Sequence, residues 1–256
     1  MTTSSETVRP LKHALVTGGA RRVGAALVRA LAHSGYRVAC HVRETSADAE
    51  ALVAEIRAAG GEASIFEADL AESEARATLI KRAVETFGPL HLLVNNAAAF
   101  SSDRFDDYSD AQFDQHLMIN LKAPIDLARH FMKHAAADDP SIINVVDHRV
   151  LKLTPQHFTY TLSKAALHAA TITMAQSLAP HIRVNAIGPG PVFPNIHDGP
   201  SGFSHETSGV PLMRAVDHAD LAKAVLYLAS ARSVTGTLLP VDSGQAIGWK
   251  TPDIIF

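Results

Sequence analysis

The chain of 256 residues has one cysteine, few aromatic residues and little net charge. Because Cys40 stands alone, no disulfide can form within the chain, and we expect a reducing compartment, the cytoplasm. The formal net charge of −3 argues against nucleic acid or an anionic membrane as the main partner. No run approaches the roughly 18 apolar residues that a spanning helix needs, so no membrane span is expected.

The first ten residues also lack an apolar run, which predicts no secretory signal and a flexible tail over 1–10. The fourteen histidines are scattered, with no HExxH and no cluster at zinc spacing, so no metal site is expected. No shift in composition and no repeat of fixed period divides the rest. We therefore expect one domain over 11–256.

Apolar runs of strand length alternate with segments of helical periodicity. The predicted strands are 14–18, 36–42, 63–69, 91–97, 141–147, 181–188 and 237–242. The predicted helices are 23–35, 47–61, 72–88, 110–134, 158–178 and 217–230. The segment 189–209, rich in glycine, proline and serine, is predicted to be a loop.

Seven nearly continuous apolar strands and about six helices predict an α/β fold with a doubly wound, mostly parallel sheet covered on both faces. In such a sheet, ligands bind beyond the carboxyl ends of the strands. The candidate site segments are therefore Thr17–Gly24, His41–Thr45, Asp69–Leu70, Asn95–Phe100 and Asp147–Lys152.

The stretch TGGARRVG leads from the first strand into the first helix. Its glycines, Gly18, Gly19 and Gly24, form a turn whose free amides, with the positive end of the helix dipole, suit a pyrophosphate. The same glycines could serve the turn alone, so this motif by itself does not settle a nucleotide site.

Tyr160 and Lys164 stand four residues apart in YTLSK, which places both side chains on one face of a helix. A lysine ammonium group beside a phenol favours the phenolate, so we expect a lowered pKa for Tyr160 and a role in proton transfer.

These motifs and four others occur in the order found in the short-chain dehydrogenase/reductase family, which the chain resembles over nearly all its length. In chain order they are TGGARRVG, ADL at 68–70, NNA at 95–97, YTLSK, RVNAIGPG at 183–190 and VDSG at 241–244. The resemblance implies NAD(P)-dependent hydride transfer on a Rossmann fold, and a homotetramer.

The resemblance also implies roles for single residues. Tyr160 would be the acid/base, Lys164 would hold the nicotinamide ribose, and Asn120 would support a proton-relay water. The cofactor site implied by the motifs comprises Thr17, Gly18, Arg21, Arg22, Val23, Asp69, Leu70, Asn95, Ala97, Tyr160, Lys164, Pro189 and Gly190.

Two residues depart from the usual family pattern. Arg22 stands where the family's turn has glycine, and Asp147 replaces the catalytic serine thirteen residues before Tyr160. Together they resemble the pteridine reductase branch, as does Phe100 at the position of the aromatic residue that stacks on the pterin. The predicted substrate site is Arg22, Phe100, Asp147, Tyr160 and Phe193.

The aspartate suits this chemistry, because reducing a C=N bond needs a proton at nitrogen. Asp147 could supply or relay that proton, or accept hydrogen bonds from a 2-aminopteridine. The end of the second strand, with Arg43 and Thr45, favours the 2′-phosphate of NADPH, although Glu44 favours NADH.

The leading hypothesis is an NADPH-dependent reductase whose small-molecule substrate is a pterin. One alternative is a reductase of another carbonyl, imine or quinone, since Ala98 and Ala99 stand where pteridine reductases carry serines. The other is a non-catalytic sensor of NADP(H), against which the intact Tyr160, Lys164 and Asn120 weigh.

Overall fold

The computed structural model describes residues 12–194 and 199–249. Its strands are β1 (Lys12–Val16), β2 (Tyr36–Val42), β3 (Glu62–Glu67), β4 (Leu92–Asn95), β5 (Ser141–Val145), β6 (Arg183–Pro189) and β7 (Leu238–Val241). Its helices are α1 (Arg22–His33), α2 (Ala47–Ala58), α3 (Ser73–Phe87), α4 (Asp110–Leu117), α5 (Ala123–Met132), α6 (Phe158–Leu178), α7 (Gly199–Gly209) and α8 (His218–Ser230). The predicted tail 1–10 lies outside the described residues.

All seven strands form one parallel sheet in the order β3-β2-β1-β4-β5-β6-β7. The chain winds outward from β1 to β3, then returns to place β4 on the other side of β1. The connections after β1 and β4 therefore run away from each other, which opens a crevice at the carboxyl edge. The predicted fold class, a doubly wound sheet of seven parallel strands, is confirmed.

Both faces of the sheet are covered, as strands without polar alternation require. On one face, α1, α2 and α8 bury apolar side chains such as Leu27, Leu52 and Leu221. On the other face, α3, α5 and α6 contribute a second core that contains Leu79 and Phe131.

The segment 110–134, predicted as one helical stretch, contains a change of helical pitch. Ser109 begins α4 with a reciprocal capping box to Gln112. A π-helical turn, Met118–Lys122, then joins α4 to α5. Such turns widen a helix locally and are frequent at functional sites. This one carries Asn120.

The prediction of an unbroken loop over 189–209 is wrong, because α7 occupies Gly199–Gly209. Its sequence, GPSGFSHETSG, has poor intrinsic helix propensity, so the periodicity gave no signal. Within the described ranges, no helix is long and apolar enough to cross a membrane. Nor do those residues bring three His, Cys, Asp or Glu side chains together in a way that could hold a metal ion.

Candidate active site

A cavity of about 1040 Å³ opens over the carboxyl edge of the sheet. Most of the predicted site residues line it, namely Gly18, Arg21, Arg22, Val23, Arg43, Asp69, Leu70, Ala97, Phe100, Asp147, Tyr160, Lys164, Pro189, Gly190 and Phe193. Four predicted residues, Thr17, Thr45, Asn95 and Asn120, are not part of its lining.

The glycine turn lies at one end of the cavity and is tightly closed. A Cβ atom on Gly24 would lie 2.0 Å from the Gly18 carbonyl oxygen, so no other residue fits there. Gly18 has a φ of 61°, the left-handed region that glycine adopts without strain. No side chain caps the start of α1, which leaves its first amides available for an anion.

Arg22 also adopts the left-handed region, with a φ of 50°, although it is not glycine. Its Nη2 donates to the carbonyl oxygen of Pro194 at 3.1 Å, and its guanidinium lies 5.3 Å from the centre of the Phe193 ring. Arg22 therefore reaches from the turn to the loop after β6. Arg21, which also lines the cavity, pairs with Asp48 at 2.6 Å at the surface.

Thr17 supports the turn from beneath the cavity. Its Oγ1 accepts hydrogen bonds from the amides of Asn96 and Ala97, at 2.9 and 3.0 Å. In return, Asn96 Nδ2 donates to the carbonyl oxygens of Thr17 and Gly18. These bonds join the ends of β1 and β4 at the crevice. No role for Asn96 was predicted from the sequence.

His41, at the end of β2, was also missed as an individual residue. The amide of Gly18 donates to His41 Nδ1 at 3.1 Å, and His41 Nε2 lies 2.9 Å from the carbonyl oxygen of Ala68. Burial lowers the pKa of His41, which favours the neutral ring. With Nδ1 as the acceptor, Nε2 carries the proton and donates to Ala68. One ring thus connects the ends of three strands.

Arg43 and Thr45 occupy different environments after β2. The Arg43 side chain is exposed at the cavity, 3.8 Å from Glu44. The amide and hydroxyl groups of Thr45 both donate to Glu67 Oε2 at 2.9 Å, and Thr45 lies outside the cavity lining. Arg43 is therefore the better placed of the two for a ligand phosphate.

The turn after β3 is held by a buried arginine that the sequence analysis did not single out. Asp69 lines the cavity and accepts a hydrogen bond from the amide of Ala71 at 2.8 Å. From α3, Arg76 Nη1 donates to the carbonyl oxygens of Leu70 and Ala71 at 2.7 and 2.9 Å. Asp126 neutralises Arg76 at 3.0 Å. This edge of the cavity is rigidly positioned.

At the other end of the cavity, the Tyr160 hydroxyl donates to Asp147 Oδ2 at 3.1 Å. Tyr160 is only 6% exposed. Burial, followed by the charge of Asp147, raises the pKa of Tyr160 well above its ordinary value. The expected lowering of this pKa is therefore wrong for the structure, because burial and the neighbouring carboxylate outweigh the positive charge of Arg149, which lowers it.

Lys164 lies one turn along α6 and is almost fully buried. Its Nζ donates to the carbonyl oxygen of Val145 at 2.8 Å and lies 5.8 Å from the centre of the Tyr160 ring. Burial lowers the pKa of Lys164 to about 8, although the charge of Asp147 opposes this shift. The two residues of YTLSK do face one cavity, as their spacing predicts.

Asn120 and Asn95 bind other protein groups. Asn120 Oδ1 accepts from the amide of Ala99 at 2.8 Å, and its Nδ2 donates to the Ala99 carbonyl oxygen and Ser163 Oγ, each at 3.0 Å. Asn95 Nδ2 donates to Asn144 Oδ1 at 2.9 Å within the sheet. In this structure both asparagines fix neighbouring elements of the site.

Phe100 lines the cavity beside Tyr160 and is partly exposed. Its ring lies perpendicular to that of Tyr160, with 4.8 Å between centres, and 4.7 Å from that of His157. An accessible aromatic surface next to a phenol suits a flat aromatic ligand.

Comparison with known proteins agrees with this geometry. The family model described as Enoyl-(Acyl carrier protein) reductase matches residues 18–246. The chain is 30% identical to the 3-oxoacyl-acyl-carrier-protein reductase FabG of Staphylococcus aureus, over 91% of this chain and 98% of that protein.

Two solved structures resemble the chain more strongly. FolM Alternative dihydrofolate reductase 1 from Brucella canis, complexed with NADP, superposes with a TM-score of 0.91 at 43% identity, covering 95% of this chain and 97% of the other. The protein of the same name from Brucella suis, also with NADP, gives 0.91 at 44% identity, covering 95% and 98%. With its glycine turn, its YTLSK helix and these matches, the chain belongs to the short-chain dehydrogenase/reductase family.

Proposed function

We propose that the protein is an NADPH-dependent reductase of pteridines, acting on a dihydropterin or dihydrofolate. The observation that carries the proposal is the Tyr160–Asp147 hydrogen bond, in which an aspartate stands where the family uses serine. A serine suits the oxyanion that develops from a ketone. A carboxylate that organises a proton donor suits a ring nitrogen that must gain a proton.

The end of the cavity that contains the glycine turn fits NADPH. The turn that excludes a Cβ at Gly24 leaves backbone amides for the pyrophosphate, and the exposed guanidinium of Arg43 would bind the 2′-phosphate. Lys164 would hold the nicotinamide ribose. When bound, NADPH supplies the hydride. The NADP in both similar Brucella structures supports this choice of cofactor.

The opposite end of the cavity would receive the pteridine ring. Phe100 would contact the ring, while Tyr160 would offer a proton and Asp147 an acceptor for an amino group. Arg22 and Phe193, which contact each other, would close this end. The similarity to the two Brucella proteins named FolM Alternative dihydrofolate reductase 1 supports the same substrate class.

A reductase of another carbonyl, imine or quinone remains the second candidate. Ala98 and Ala99 line the cavity without the hydroxyl groups that pteridine reductases carry there. The similarity to a 3-oxoacyl-acyl-carrier-protein reductase also favours a ketone substrate. A third candidate, a sensor that binds NADP(H) without turnover, has less support because the Tyr160–Asp147 pair has no use in it.

The experiment that separates these candidates follows NADPH oxidation by the purified protein. The panel contains 7,8-dihydrobiopterin, dihydrofolate, biopterin, ketones and quinones. Turnover on the pterins alone supports the proposal. Turnover only on a ketone or quinone contradicts it in favour of the second candidate, and NADPH binding without any turnover favours the sensor.

Two further parts of the proposal come from the family resemblance and composition. The active protein would be a homotetramer, and it would act in the cytoplasm. Sedimentation of the purified protein across a concentration series tests the tetramer, and fluorescence imaging of the tagged chain in its own cell tests the location.

A further inference from the structure

Arg149 lies beside the proposed catalytic pair but belongs to none of the family motifs. It follows Asp147 by two residues, in the short 3₁₀ turn His148–Val150 after β5. Its side chain is 17% exposed and lines the cavity next to Asp147. An arginine is rarely buried to this extent unless its charge is paired.

The partner is the carboxylate of Asp147. The amide of Arg149 donates to Asp147 Oδ1 at 2.9 Å, and Arg149 Nη1 lies 3.3 Å from each carboxylate oxygen. His148 Nδ1 adds a contact to Oδ1 at 3.1 Å. Tyr160 approaches Oδ2 from the other side. The carboxylate therefore accepts hydrogen bonds from the amide and guanidinium groups of Arg149 and from the Tyr160 hydroxyl.

This arrangement uses Asp147 as a hydrogen-bond acceptor. A proton on Oδ1 would face the N–H groups of Arg149 and would cost at least one of these bonds. The carboxylate can accept a hydrogen bond from Tyr160 but is poorly suited to give a proton to a substrate. The proton donor that remains at this end of the cavity is the Tyr160 hydroxyl.

Arg149 also acts on Tyr160 electrostatically. The charged and titratable groups around this end include Asp147, His148, Tyr160, Lys164, Arg22, Glu206 from α7, and His116, whose ring centre lies 6.0 Å from that of Tyr160. Burial and Asp147 raise the pKa of Tyr160, whereas the positive charge of Arg149 lowers it. Arg149 thus partly offsets the cost of placing a carboxylate next to the phenol, which keeps Tyr160 a stronger acid than it would otherwise be.

We propose that Arg149 is a positioning residue that holds Asp147 as a fixed hydrogen-bond acceptor, so that Tyr160 delivers the proton to the substrate nitrogen. This inference rests on the proposed function. In the step, the carbon of the C=N bond receives the hydride from NADPH and the nitrogen receives the Tyr160 proton. The products are the amine, NADP⁺ and a tyrosinate, which regains its proton from water.

The test compares Arg149→Gln and Arg149→Lys with the wild type. We expect Arg149→Gln to lower kcat by about 10- to 100-fold, with little change in KM or in the Kd for NADPH. Because proton transfer from Tyr160 becomes slower, the solvent deuterium isotope effect on kcat should increase. Arg149→Lys keeps the positive charge but cannot hold both oxygens of Asp147 as the guanidinium does. Its kcat should therefore be higher, and its isotope effect lower, than those of Arg149→Gln.

A matched control is Arg29→Gln. Arg29 pairs with both oxygens of Glu55, at 2.8 and 2.7 Å, on the exposed side of α1 and α2. This substitution also removes an arginine–carboxylate pair, but far from the cavity, and should leave kcat and the isotope effect unchanged.

Melting temperatures of all variants establish that they fold. If Arg149→Gln does not fold, Arg149→Lys alone should still show a lowered kcat with an increased isotope effect.

Two results would overturn the inference. One is an unchanged kcat in Arg149→Gln. The other is a loss of kcat with an unchanged isotope effect and no restoration by lysine, which a purely structural role would produce. The measurements use whichever substrate the wild type reduces. A wild type that reduces only ketones therefore contradicts the proposed function, while the Arg149 comparison can still be made.

Discussion

Tyr160 and Asp147 form one hydrogen-bonded pair, 3.1 Å from Oη to Oδ2, although they lie on a helix and on the end of a strand thirteen residues apart. The pair combines the proposed acid of the site with the residue that stands in place of the family's serine. Its two members should therefore respond differently to substitution, and the following predictions separate their roles.

Tyr160→Phe removes the hydroxyl while keeping the ring that contacts Phe100. We expect kcat to fall by about 10²- to 10⁴-fold, as for the loss of a general acid. The Kd for NADPH, measured by fluorescence, should stay within about twofold because the phosphate contacts are intact. The matched control is Tyr227→Phe on α8, where the ring is exposed. Retained turnover in Tyr160→Phe would exclude the acid role.

Asp147→Ser restores the usual family residue at this position. We expect kcat/KM for a pterin to fall by about tenfold or more, because the acceptor facing Tyr160 is weakened. Activity toward a ketone should fall less, or rise, since a serine hydroxyl can donate to an oxyanion. Equal losses on both substrates, measured by NADPH oxidation, would argue that Asp147 has only a structural role.

Arg43→Ala tests the proposed choice of cofactor. Its guanidinium would pair with the 2′-phosphate, so we expect KM for NADPH to rise by about tenfold and KM for NADH to change little. Arg232→Ala is a suitable control, because both arginine side chains are 70% exposed but Arg232 pairs with Asp138 away from the cavity. If the ratio of KM for NADPH to KM for NADH does not change, another residue determines the choice of cofactor.

Lys164→Met tests the burial of a lysine in the protein without cofactor. The folded state lowers the pKa of Lys164 from 10.5 to about 8, so the unfolded chain holds this proton more tightly. Below pH 8 the buried charge destabilises the fold, by about 3 kcal/mol if the whole shift counts. This penalty should disappear as the pH rises from about 8 to 10.5.

Urea unfolding across that pH range provides the measurement. Lys164→Met should be more stable than the wild type below pH 8, and the difference in the free energy of unfolding should shrink toward pH 10.5. Lys81→Met, which removes an exposed lysine on α3, should show no such trend. A difference that does not depend on pH would mean that folding leaves the pKa of Lys164 at its ordinary value.

Local patterns in the sequence were sufficient to predict the strands around this site and the position of the cavity. Apolar runs located all seven strands, and the rule that ligands bind at their carboxyl ends located the cavity. The spacing of Tyr160 and Lys164 predicted one shared helix face. These predictions succeed because each depends on residues that are close in the chain or on a general property of parallel sheets.

The supporting contacts could not be predicted in the same way. His41 meets Gly18 only because β1 and β2 are neighbours, and Arg76 meets Leu70 only through the packing of α3. The pKa of Tyr160 depends on burial, which the YTLSK spacing does not contain. The helix α7 forms despite a glycine-rich sequence, because surrounding structure can override local propensity.

Arg22 makes side-chain contacts at the cavity, but its backbone conformation destabilises the turn. A left-handed backbone costs a non-glycine residue about 1 kcal/mol, so Arg22→Gly would relax the turn. The same change would remove the bond to Pro194 and the contact with the Phe193 ring. A variant selected only for thermostability would therefore tend to lose the arginine, and with it the connection between the glycine turn and the loop after β6.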